Sequence, residues 1–197
     1  MPAVSEAIVR EYFEAHGFLI RQHRKYVAPA RREEDDIDFF VLNPHPQKGE
    51  TEVPFILTSN DLQLVQRAIV AVKGWHTETF SSALLTHEPQ IFRFVEPRVL
   101  QQAAQVFGKD GPLLKILVLP TLPQTASTRE QSITMLRAKG IDAVILFDTI
   151  LADLIARTEA NRNYQKSDLL QIIRILKNYG FLKEPQLELF KNRRKRG

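Results

Sequence analysis

The chain has 197 residues, 44% hydrophobic and 25% charged, the balance of an ordinary globular protein; a single domain of this length buries about 70% of its unfolded surface. It contains no cysteine, which excludes disulfides, a thiol nucleophile and a cysteine-based zinc site. The net charge of +4 is uneven: Lys191, Arg193, Arg194, Lys195 and Arg196 put five positive charges in the last seven residues, so residues 1–190 carry −1 and the basic character belongs to the tail.

Residues 4–16 read as a helix, with apolar positions at Val4, Ile8, Tyr12 and Phe13 and with Gly17 placed to end it. No apolar run reaches spanning length, and Glu6, Arg10 and Glu11 do not suit a signal peptide, so a cytoplasmic chain with no membrane partner is expected. Phe18 to Val27 reads as a strand made basic by Arg21, His23, Arg24 and Lys25. The sign then reverses from Arg31 and Arg32 to Glu33, Glu34, Asp35 and Asp36, as in an exposed loop. Residues 37–42 form the next strand, closed by the turn signal Asn43-Pro44-His45-Pro46. Phe55 to Thr58 is a candidate short strand, and Ser59 to Asp61 a turn.

Residues 68–76 run Ala-Ile-Val-Ala-Val-Lys-Gly-Trp-His, a β-branched stretch that reads as a buried strand ending in a lysine and an aromatic pair. Strand alternation places Ile69, Ala71, Lys73 and Trp75 on one face. A lysine is expensive to bury without a partner, so Lys73 is either a functional cation or a side chain that snorkels to water. Helical periods follow at 79–86 and 97–107, the second stopped by Gly108. Leu113 to Leu119 is a strand ended by Pro120. Ser127 and Glu130 have capping-box spacing and open a helix that Gly140 ends. Ile141 to Phe147 is a further strand, and two apolar strands joined by one helix should be parallel. Helices at 149–160 and 167–179 complete the chain.

An acidic residue opening the second strand and a lysine ending the third make the chain resemble the PD-(D/E)xK, or restriction-endonuclease-like, nuclease superfamily over roughly residues 4–147. The first helix and strand are similar to its Holliday-junction-resolvase branch, in which a helical glutamate stands eleven residues before the glycine that ends the helix, as Glu6 stands to Gly17. The resemblance implies an α/β fold with a mixed sheet flanked by helices, here with extra C-terminal helices; length and charge add the expectation of one domain over 1–190 followed by a disordered basic tail at 191–197. It also implies a Mg²⁺- or Mn²⁺-dependent deoxyribonuclease. Asp38 matches the family's aspartate, with Asp36 as the fallback, and Lys73 matches its lysine. The acid expected two residues before the lysine is Ala71. Either Glu6 or Glu78 joins Asp38 as a metal ligand, or the site is degenerate and the domain is a DNA- or protein-binding scaffold. Arg21, Arg24 and Lys25 are the candidate phosphate contacts. Trp75 and His76 stand where a cleft would open, Trp75 as a base-stacking platform or as core. The late helix 167–179 either covers the sheet or docks a second copy or a partner protein.

Overall fold

The structure is a computed structural model and describes residues 2–22, 37–47, 52–108 and 111–182. Its contacts divide the chain into two compact units, 1–153 and 154–197. The tail at 191–197 lies outside the described residues, as do Arg24, Lys25 and Asp36.

Helix α1, Pro2–Ala15, stops where expected, because Gly17 adopts a φ of 81° that a side chain would resist. Strands β1 (Leu19–Gln22), β2 (Phe39–Leu42), β3 (Arg67–Val72), β4 (Leu114–Leu119) and β5 (Ala143–Leu146) form one sheet in sequence order. The first three are antiparallel neighbours, and β3, β4 and β5 run parallel, as two strands bracketing a helix should. The stretch 55–58 is shorter than expected: only Ile56 bridges Val144, at the outer edge of β5, with bonds from the Val144 N–H to Phe55 O and from the Leu57 N–H to Val144 O.

Between β3 and β4 lie α2 (Ser82–His87), a 3₁₀ turn at Pro89–Val95 and α3 (Pro97–Phe107); α4 (Ala126–Ala138) lies between β4 and β5. Two right-handed crossovers advancing in one direction deliver their helices to one face. Accordingly Phe40, Ile69, Ala71, Leu117, Leu119 and Val144 share a core with Phe80, Leu85, Ile91, Val99, Ala103 and Leu136. By alternation Phe39, Val41, Val70, Ile116, Val118 and Ile145 face the other side and are buried too, together with Val9, Tyr12 and Phe13 of α1. Sheets covered on both faces read as continuous apolar strands, which is how β3 to β5 look. His16 Nε2 lies 2.9 Å from Asp153 Oδ2 and ties α1 to α5 (Phe147–Arg157). In the second unit α6 runs Asp168–Asn178, capped by Ser167, whose side chain accepts the Leu170 N–H at 3.2 Å.

One expected cap is not formed. Helix α4 starts at Ala126, so Ser127 and Glu130 already sit inside its first turns and Thr125 holds the N-cap position without a side-chain bond. The capping box is instead formed by Thr58 and Asp61, opening a 3₁₀ helix at Ser59–Leu64 where a simple turn was expected. No helix among the described residues is long and apolar enough to cross a membrane.

Candidate functional site

Strand β3 delivers Lys73 to the C-terminal edge of the parallel strands, the usual location of ligands in open α/β sheets. The Lys73 N–H donates to Val118 O at 2.9 Å, so the ladder with β4 runs one residue past the strand. The residue is half-buried on the face of Ile69 and Ala71. Among the described residues no carboxylate pairs with its ammonium.

Pairing of β2 with β3 brings Asp38 to the same edge. Its N–H donates to Val70 O at 2.9 Å, and its Oδ2 accepts the Val72 N–H at 2.7 Å. These bonds bracket Ala71, so Asp38 stands alongside the position where the resemblance expects the second acid. Its carboxylate replaces a backbone carbonyl at the end of the ladder, a charge-assisted bond stronger than a neutral one. Asp142 does the same between β4 and β5: its Oδ2 accepts the Lys115 N–H at 2.8 Å and pairs with Lys115 Nζ at 2.7 Å.

Ala71 is fully buried in the apolar core. Trp75 is half-buried against that core and stacks on Phe80, with ring centroids 5.7 Å apart and planes inclined by 24°. Phe80 thus occupies one face of the indole. His76 is exposed; its Nε2 lies 3.0 Å from Ser5 Oγ, and its ring makes a T-shaped contact with Phe147 at 4.6 Å. Ser5, in the first turn of α1, is only 2% exposed. Gly74 closes on it: a Cβ there would stand 2.8 Å from Ser5 Cβ and closer still to its hydroxyl. The segment after Lys73 is therefore pinned by the first turns of α1 and α5. Gly74 and His76 stood out in the sequence. Ser5 did not, since its only signal was a small polar residue near a helix start.

The remaining candidates are spread more widely. Glu6 Oε2 accepts a hydrogen bond from Gln22 Nε2 at 3.0 Å, and Glu78 is exposed on a turn closed by its N–H to Trp75 O at 2.9 Å. Arg21 is exposed on β1, opposite Phe40, which is in turn opposite Ile69. Directly opposed residues of antiparallel strands project to the same face, so Arg21 shares the face of Lys73. Asp38 and Lys73 thus both lie at the C-terminal end of β3. Among the described residues, however, no group of three or more His, Asp or Glu side chains is placed to hold a metal ion. Comparisons with protein-family models, curated proteins and solved structures found no match.

Proposed function

We propose that this chain is a restriction-endonuclease-like domain that binds DNA through the Lys73 edge of its sheet and no longer hydrolyses it. The observation that carries this reading is Ala71. The residue at the place where the resemblance expects the second acid is fully buried in the same apolar core as Ile37, Phe40, Ile69 and Phe80, which supports a site without that ligand. The sheet also agrees with it, since antiparallel β1–β2–β3 followed by parallel β4 and β5 make a mixed sheet flanked by helices, as the resemblance implies. What remains is Lys73 at that edge and Arg21 on the same face of the sheet, level with Ile69, two cations suited to phosphate contacts that position a duplex without reading its sequence. The position of Asp38 beside the end of β3 favours one second reading, a metal-dependent deoxyribonuclease with a carboxylate supplied from elsewhere.

Calorimetry with Mg²⁺ and Mn²⁺, combined with fluorescence anisotropy on duplex DNA, separates the two. The expected outcome is weak or no metal binding, and DNA binding that Lys73→Ala and Arg21→Ala weaken without any cleavage. Ala71→Glu should destabilise the fold by about 3 kcal/mol or more, because it buries a carboxylate in an apolar core. Mn²⁺ should raise the melting temperature of that variant and not of the natural chain. Tight metal binding and DNA cleavage by the natural chain, both lost in Glu6→Gln or Glu78→Gln, would establish the hydrolase reading instead.

A further inference from the structure

Helix α6 buries Ile173 and leaves Ile172 at 55% and Ile175 at 44% exposed, with Tyr179 at 77% and Phe181 at 76% just past its end. Of the seven large apolar side chains exposed among the described residues, four fall in this ten-residue stretch. Single exposed hydrophobics need no explanation, but a contiguous patch marks an interaction surface. At 3.6 residues per turn, Asp168, Ile172, Ile175 and Tyr179 lie within about 60° of one another on the helix surface. Their spacing of four, three and four is that of a helix-pairing seam. The end of the helix is set in a fixed geometry: Gly180, at a φ of 74°, donates to Lys177 O, and the Phe181 N–H donates to Leu176 O, each at 2.9 Å.

We infer that this strip docks a second copy of the chain, α6 against α6, antiparallel about a two-fold axis. Self-complementarity of the strip selects that occupant. In the antiparallel register Ile172 of one copy lies opposite Ile175 of the other. Asp168 lies opposite Tyr179, whose hydroxyl can donate to the carboxylate. The acidic first turn then meets the end that carries Lys177, and the two helix dipoles oppose each other. A parallel pair would set Asp168 against Asp168. An interface of this kind is isologous and closed, so it stops at a dimer. Aromatic side chains bury roughly 150–250 Å² each, so the two aromatics and the two isoleucines expose on the order of 300–500 Å² per copy. Doubled and given a polar rim, that reaches the low end of specific interfaces, about 1,200 Å² in total. The dimer is therefore weak and concentration-dependent.

Sedimentation equilibrium of the full chain over a concentration series tests this. The expected result is a reversible dimer whose dissociation constant rises tenfold or more in Ile175→Glu and in Tyr179→Glu. Tyr179 is highly exposed beyond the last full turn, so its variant keeps the test valid if Ile175→Glu unfolds. The chain has no cysteine, so single cysteines report orientation cleanly. A mixture of Ile172→Cys and Ile175→Cys should form disulfide-linked dimers faster than either variant alone. A monomer at every concentration, a dimer indifferent to both glutamates, or faster linkage of either cysteine variant with itself would each overturn the proposal.

Discussion

Asp38 closes the β2–β3 ladder with a side-chain oxygen, and that bond gives the residue a structural value separate from any ligand role. Removing it leaves the Val72 N–H without its acceptor in a half-buried place, which costs about 1–3 kcal/mol. Asp38→Ala should therefore lower the unfolding free energy from urea titration by that amount, while Asp38→Asn, which keeps an acceptor oxygen, should recover most of it. If Asp38 served only as a ligand, both variants would be neutral or stabilising, because each removes a buried charge. This residue was legible as special from the sequence, since an acid at the head of the apolar run Phe39 to Leu42 needs a reason. Its backbone partner was not, because the bond depends on where β3 lies relative to β2. Trp75 shows the same division: its place on the Lys73 face follows from alternation, but its stacking on Phe80 depends on how the loop before α2 returns.

Elements whose signals are local came through with small shifts at their ends. Helix α3 was expected at 97–107 and spans Pro97–Phe107, since Pro97 and Gly108 mark its limits. Helix α4 was placed correctly but given the wrong cap, because the pattern Ser127-x-x-Glu130 has the same spacing inside a helix as at its start. Arg67 shows what periodicity misses. It opens β3 with only 8% exposure, and its guanidinium donates to the carbonyls of Phe107 at 3.1 Å, Pro112 at 3.0 Å and Gly111. One carbonyl at the C-terminal end of α3 and two just before β4 satisfy one buried cation, and the first of them suits the negative pole of a helix. Replacing it with methionine keeps the bulk and strands those acceptors, so Arg67→Met should destabilise by about 3 kcal/mol in urea unfolding. Arg67→Lys should recover only part of that, because one ammonium does not reproduce the planar fork. A change under half that size would mean that water satisfies the carbonyls equally well.

At the scale of the whole molecule, charge and fold are separable. The parallel pairing of β4 with β5, their place in one sheet with β3 and the hairpin character of the first three strands were legible from apolar runs, turn signals and the crossover rule, because each rests on short-range pattern plus chain connectivity; the placing of β4 directly beside β3 was not. The burial of Ala71 was not legible either, since it depends on how the segments after β3, which bring Phe80, Leu85 and Ile91 into the same core, pack on the sheet. The charge distribution makes a further prediction that needs no coordinates. Residues 1–190 carry −1 and the last seven residues +5, so the long-range attraction to a polyanion comes from the tail. Each phosphate neutralised contributes about 0.9 to the slope of log K against log salt on B-DNA. If all five tail cations engage, deleting residues 191–197 should flatten that slope by about 4.5 and weaken binding by a similar factor on every duplex sequence. Lys73→Ala or Arg21→Ala, each removing one cation from the Lys73 face of the sheet, should change the slope by about 0.9 at most. Anisotropy titrations at four or more salt concentrations would resolve contributions of that size. A truncated chain with an unchanged slope would show that the tail is a bystander, and the Lys73 edge would then have to account for all of the binding.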